Sequence, residues 1–158
     1  MATYNRTVTG GGTVGHPSNA AVPYVITSPV WDTADGGTGG DIVQLIDVPA
    51  DTMIVAGCLE VLEARGNGQI TMDIGFTGGD VDCFVDGSAC AAGFTPFLEA
   101  AVGASGANAR MLTSADTIDA LILDGGSSGE SALRFRIHVV MVDVSVNPVE
   151  SATVSTGT

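Results

Sequence analysis

The sequence predicts an all-β protein, an antiparallel β-sandwich or jelly roll of about eight strands with a long extended N-terminal arm. Three observations lead to this prediction. The chain of 158 residues contains 22 glycines and 6 prolines and has no long segment of good helix formers. Short apolar runs alternate with polar residues and are separated by turn residues. Apolar residues make up 45% of the chain, which is enough for one domain with a core.

Residues 1–40 differ from the rest of the chain and predict a flexible, Gly/Pro-rich extended arm. Thr3–Thr9 alternates like a short strand, and two glycine-rich stretches enclose an extended segment whose prolines exclude a helix. The only tryptophan and both tyrosines of the chain lie here, and aromatic side chains are enriched at interfaces. We predict that the arm docks on a partner through Tyr4, Tyr24, Ile26 and Trp31. A flexible tail with an edge strand is the alternative.

From residue 41 the alternation becomes regular and predicts a β-sandwich domain over residues 41–145, followed by a polar tail at 146–158. In the segment 69–76 it is clearest, with Ile74 on the inward face and Asp73 on the solvent face. We expect this domain to fold without the arm.

The last predicted strand, 132–144, has one fully apolar face, and its second half is apolar on both faces. Such a strand lies in the centre of a sandwich or is covered by another subunit. The apolar face of this last strand consists of Leu133, Phe135, Ile137, Val139 and Met141. Residues 86–108, earlier in the chain, are the least regular part of the predicted domain.

The net charge is −13, from 18 acidic residues against five arginines, and the chain contains no lysine. Nucleic-acid binding and attraction to an anionic membrane both need clustered basic residues, so neither is expected. The N-terminus shows no secretory signal pattern, and we expect free thiols at Cys58, Cys83 and Cys90. A Cys83–Cys90 bridge, which would need an oxidising environment, is the alternative.

Three carboxylates fall close together in the segment 79–87, GDVDCFVDG: Asp80, Asp82 and Asp86. A calcium-binding EF-hand loop needs an oxygen ligand at its fifth position and glycine at its sixth, where this chain has Phe84 and Val85. We therefore predict a solvated turn or strand with the aspartates and Phe84 on one face. A weak cation site is the alternative.

No catalytic constellation is visible, and the chain is predicted not to be an enzyme and to use no cofactor or metal. The string GGSSG at 125–129 fits G-x-S-x-G, but it is a glycine-rich loop without the strand–turn–helix context that this nucleophile motif needs. Of the two histidines, His16 lies in the arm, and His138 follows Arg134 and Arg136 on one face of the last strand. We predict that His138 belongs to a polar sheet face or an interface. A cysteine nucleophile paired with His138 has no support from the spacing.

Five short motifs follow one another between residues 41 and 144: Val48-Pro49-Ala50-Asp51-Thr52, Asp73-Ile74-Gly75, Asp86-Gly87, Ala115-Asp116-Thr117-Ile118-Asp119 and Val142-Asp143. Together they resemble small structural proteins encoded beside the major capsid protein in tailed bacteriophages, including phages of marine bacteria and cyanobacteria. The arm is not covered by this resemblance.

The resemblance implies a head decoration, or cement, protein. Such a protein sits on the outside of the icosahedral shell, often as a trimer, and holds neighbouring major capsid subunits together against the pressure of the internal DNA. It implies synthesis in the host cytoplasm, a final location on the virion surface, and the major capsid protein and further copies of itself as partners. The chain departs from the family pattern in its extra cysteines and in the insert at 88–100.

Two other functions stay open. A tail- or fibre-associated virion protein could use the same fold for attachment. A calcium-dependent carbohydrate-binding jelly roll could hold the ion with Asp80, Asp82 and Asp86 and offer Trp31 as an exposed aromatic platform.

Overall fold

The computed structural model describes residues 3–9, 23–32, 39–64, 70–76, 78–97, 110–123 and 133–145. Within these ranges every regular element is a β-strand, and eleven strands form two sheets, so the predicted all-β sandwich is confirmed and has more strands than expected. The strands are β1 (Thr3–Thr9), β2 (Pro23–Thr27), β3 (Trp31–Asp32), β4 (Ile42–Val48), β5 (Thr52–Glu63), β6 (Thr71–Phe76), β7 (Val85–Ala89), β8 (Gly93–Phe97), β9 (Arg110–Leu112), β10 (Asp116–Ile122) and β11 (Arg134–Asp143).

The first sheet has the strand order β1-β4-β10-β6-β7, and the second has the order β2-β11-β5-β8, with β3 also beside β11 and β9 also beside β5. All pairings are antiparallel except that of β1 with β4, which is parallel. Of the three strands within residues 1–40, β1 belongs to the first sheet, and β2 and β3 belong to the second. The described part of the predicted arm is therefore paired with strands of the sandwich.

The core lies between the two sheets, and β11 is its central strand. The five residues predicted to form its apolar face, from Leu133 to Met141, are all fully buried, as the alternation of a strand requires. Facing side chains come from β4, β6 and β10, including Leu45, Met72 and Ile118. Burial of this many branched apolar side chains is the main force that holds the sheets together.

Strand β5 changes its inward face along its length. Leu59 and Val61 point into the core near its end, whereas Ile54 does so near its start. The cause is a shift of register against β11, where Val140 pairs with Ala56 but Met141 pairs with Ile54. Such a bulge inserts one residue and reverses the side-chain alternation on one strand.

The segment that was predicted to be irregular, 86–108, contains most of β7 and all of β8. These two short strands pair with β6 and β5, respectively. Gly87 and Gly93 have left-handed backbone angles, φ 56° and 127°, which glycine adopts without a steric penalty. Phe97 of β8 then lies opposite Gly57 of β5 and covers it, because a Cβ atom at Gly57 would come within 2.0 Å of the Phe97 ring.

The turn between β4 and β5 explains the first motif of the sequence. Asp51 is the only non-glycine residue of the described chain with a positive φ, at 55°. Aspartate and glycine are among the residues that tolerate this conformation. The backbone N–H of Val144 donates to the carbonyl of Asp51 at 2.8 Å, which ties the turn to the end of β11.

Candidate functional site

The acidic segment 79–87 is a compact turn followed by the start of β7. Asp80, Asp82 and Asp86 are all exposed, as predicted for a solvated turn. The prediction that Phe84 shares their face is wrong. Phe84 is 9% exposed and its ring stacks on Phe97 with centroids 5.2 Å apart, because the chain turns before it and does not run on as a strand.

This segment covers the outer side of β6. The N–H of Phe76 donates to the carbonyl of Asp80 at 2.9 Å, and a Cβ atom at Gly75 would lie 2.3 Å from that same carbonyl oxygen. Beside it, Asp73 accepts a hydrogen bond from the N–H of Gly87 at 2.7 Å and is 6% exposed. Asp73 points away from the core as predicted, but a turn of the chain covers it in place of solvent.

The carboxylates of the turn interact with one another. The pKa of Asp82 is raised, chiefly by a hydrogen bond with Asp80, with smaller contributions from partial desolvation and from the charge of Asp80. Among the residues that the structure describes, no group of three His, Cys, Asp or Glu side chains is arranged to hold a metal ion. The segment is therefore a turn that covers β6 and exposes its carboxylates to solvent.

The four predicted partner contacts lie in different environments. Ile26 is 7% exposed and Trp31 is 1% exposed, and both pack in the chain's own core. Tyr24 is half-buried against that core, and the side chain of Tyr4 lies outside the described residues. The arm's contact with a partner stays a prediction, whereas an exposed Trp31 platform for a sugar is wrong in this fold.

The second sheet carries a polar cluster on its outer face. Nδ1 of His138 and the Thr27 hydroxyl form a hydrogen bond of 2.8 Å, and Nε2 of the same ring lies 2.8 Å from a carboxylate oxygen of Glu60. The Nε–H of Arg136 donates to the same Glu60 oxygen at 2.5 Å. The prediction of a polar sheet face around His138 agrees with this arrangement. The sequence spacing did not identify Glu60 and Thr27 as partners of His138, because the register between distant strands brings these residues together.

The outer face of the second sheet is defined by cross-strand pairs around this cluster. Since Phe135, Ile137 and Val139 of β11 are fully buried, the residues between them point outward, and so do their partners on β2, β5 and β8. This outer face comprises Val25, Thr27, Ala56, Cys58, Glu60, Phe94, Pro96, Arg136, His138 and Val140.

The hydrogen bond from Arg136 and then that from His138 hold the pKa of Glu60 below its ordinary value. A carboxylate with a lowered pKa in the folded state contributes stability above its unfolded pKa, and this is lost as the pH falls through the folded value. We expect Glu60→Gln to be less stable than the wild type at neutral pH and the difference to shrink progressively below about pH 4. Urea unfolding across this range measures it.

Glu63→Gln, at the exposed end of the same strand, is the control for that comparison. A difference between Glu60→Gln and the wild type that stays constant down to the acid end of the range would show that the charge of Glu60 is not what stabilises the fold.

Cys58 lies directly opposite His138 on this face, but the arrangement does not favour a nucleophile. Desolvation, followed by the nearby charge of Glu60, raises the pKa of the Cys58 thiol. Both ring nitrogens of His138 already have partners in Thr27 and Glu60. The thiolate, which is the reactive form, is therefore disfavoured here.

Two motifs of the sequence meet at the end of the first sheet. The turn that begins at Val48 and the start of β10 at Asp116 line an open pocket of about 340 Å³. The lining residues are Asp47, Val48, Pro49, Ala115, Asp116 and Thr117, and the Thr117 hydroxyl accepts a hydrogen bond from the side-chain amide of Gln44 at 3.3 Å. In the described part of the chain there is also no helix that is long and apolar enough to cross a membrane.

Comparison with known proteins finds similarity in structure only. No protein-family model matches the chain, and no curated protein matches it. A chain in the capsid asymmetric unit of cyanophage Pam1 superposes with a TM-score of 0.61 at 13% identity, over 80% of this chain and 88% of that chain.

Two further capsids contain similar chains. One is the acidic stable capsid of Helicobacter pylori bacteriophage KHP30, with a TM-score of 0.59 at 17% identity over 80% of this chain and 92% of the other. The second is the capsid of Ralstonia phage GP4, with a TM-score of 0.55 at 17% identity over 81% and 87%. The chain has a fold that phage capsids contain. This agrees, at the level of the fold, with the resemblance that the sequence motifs indicated.

Proposed function

We propose that the protein is a decoration, or cement, protein on the outside of a tailed phage head, where it stabilises contacts between major capsid subunits. The observation that carries this proposal is the shared fold with chains of three phage capsids over about four fifths of this chain. On this proposal the protein is made in the host cytoplasm, and its partners are the major capsid protein and copies of itself, assembled as a trimer.

The physical character of the chain supports a structural role. Its sheets are joined by a continuous core, and Asp73 and Glu60 form hydrogen bonds that hold a turn and two strands. We propose that it has no catalytic role. A charge of −13 keeps free copies soluble before assembly and would favour a basic surface on the shell.

The test is binding of the full chain to purified, undecorated capsid shells, with and without EDTA. We expect saturable, EDTA-insensitive binding that raises the melting temperature of the shell, because a ligand that binds only the intact state stabilises it. An unrelated protein of equal net charge is the control for nonspecific attraction.

Absence of binding to the shell would contradict the proposal. Binding that EDTA abolishes would instead support the fibre or carbohydrate-binding functions, with the segment 79–87 as a metal-dependent loop.

A further inference from the structure

We propose that the outer face of the second sheet is the surface through which copies of this chain associate with one another. It rests on the association of copies in the proposed function and names the surface for it; because its test uses no capsid shells, self-association and shell binding can fail separately. Two observations lead to it: exposed apolar side chains are concentrated on the second sheet, and the charges on its outer face nearly balance.

Exposed apolar side chains are concentrated on the second sheet. Of the five large apolar side chains that are exposed among the described residues, four belong to its strands: Val25 at 67%, Leu62 at 41%, Phe94 at 68% and Met111 at 59%. The fifth, Leu123 at 44%, follows the last residue of β10 in the first sheet. Apolar groups gathered on one face indicate an interaction site, since scattered ones are ordinary.

Part of this apolar surface forms rows of cross-strand pairs. Val25 of β2 lies opposite Val140 of β11, which lies opposite Ala56 of β5. Two residues further along β11, Val142 lies opposite Met53 of β5, which lies opposite Met111 of β9. These rows cross the sheet from β2 to β9, whereas Phe94 of β8 lies opposite Glu60, at the polar cluster.

The charges on this face nearly balance. Arg134 lies 3.7 Å from Asp32 and opposite Glu63, and Arg136 and His138 both contact Glu60, so two arginines stand against three carboxylates. Both arginines whose side chains the structure describes are found here, whereas the exposed carboxylates of the segment 79–87 belong to the side of the first sheet. The face is thus close to neutral in a chain whose net charge is −13.

This distribution favours a second copy of the same chain as the occupant. A basic partner gains most on the acidic surfaces, where attraction is strongest, and gains little on a neutral one. Two acidic copies repel each other on those same surfaces and can approach with the least repulsion through the neutral, apolar face. Apolar side chains beside paired polar groups are also typical of an interface between subunits.

The first test is sedimentation equilibrium of the full chain and of three variants that each add one negative charge. Phe94→Glu and Val25→Glu place the charge on the two edges of the proposed face, and Leu123→Glu places it on an exposed apolar site elsewhere. We expect the wild type to associate and the first two variants to associate at least about tenfold more weakly, because like charges in a contact are costly. Leu123→Glu should behave as the wild type. Circular dichroism establishes that all variants are folded.

A second readout uses a thiol that the face already contains. Cys58 is partly exposed on it, and Cys83 is partly exposed in the segment 79–87 on the other side. We expect alkylation of Cys58 to slow as the protein concentration rises through the association range, while alkylation of Cys83 does not change.

Three results would overturn the proposal. One is a wild type that stays monomeric up to about 100 µM, because association with a Kd below that value would be detected there. Another is association that Phe94→Glu and Val25→Glu leave intact, or that Leu123→Glu weakens equally. The last is an alkylation rate of Cys58 that does not depend on concentration in a protein that associates.

Discussion

Replacing Trp31 with alanine is expected to lower the free energy of unfolding by about 3–5 kcal/mol, the usual cost of removing a large aromatic side chain from a core. Trp31 is 1% exposed and is among the largest fully buried side chains of the described residues. Its strand, β3, pairs with β11 at Phe135, which is itself fully buried. The cavity would therefore open beside the central strand of the sandwich. Equilibrium unfolding in urea measures the loss.

Val25→Ala is the matched control, because Val25 lies in the same arm segment but is 67% exposed. Its effect should be within about 0.5 kcal/mol in dilute, monomeric protein. Equal, small effects of both substitutions would mean that the arm is dispensable for folding, which is the expectation that the sequence alone suggests. A large effect confined to Trp31→Ala would mean that residues 1–40 contribute to the core.

Replacing Gly75 with alanine is expected to cost about 3 kcal/mol, at the upper end of the range for overpacking. An added Cβ atom would lie 2.3 Å from the carbonyl oxygen of Asp80 and 2.4 Å from the carbonyl carbon of Val81. These are backbone atoms, so they cannot move aside as a flexible side chain can. The turn must lift away from β6, and the hydrogen bond from Phe76 to Asp80 is lost with it. Urea unfolding measures the effect on stability.

Gly79→Ala is the matched control within the same turn, because nothing lies within 4 Å of its added Cβ atom. Its stability should stay within about 0.5 kcal/mol of the wild type. Faster alkylation of Cys83 in Gly75→Ala than in Gly79→Ala would show that the turn has lifted. If the two variants unfold alike, the segment 79–87 does not rest on β6 in solution.

Local patterns identified much of this fold. The alternation over 133–141 predicted five core residues, Leu133 and four of β11, and that of β6 predicted Ile74 inward and Asp73 outward. The first motif marks the break between β4 and β5, where Asp51 adopts a positive φ that only a few residue types tolerate without strain. These features depend on neighbours along the chain, so the sequence carries them directly.

The sequence by itself determined the fold class, the central strand, the acidic charge and the absence of a recognisable catalytic motif. Tertiary structure alone decided what covers each outward face. The sequence pattern places Asp73 and Gly75 on a solvent-facing side, but the segment 79–87 covers them. It also suggests that Trp31 contacts a partner, whereas β3 pairs with β11 and Trp31 is buried in the core. Tertiary structure also joined Thr27, Glu60, Arg136 and His138 into one cluster. The physical reason is that such contacts arise from the register between strands far apart in the chain, which no local alternation of residues encodes.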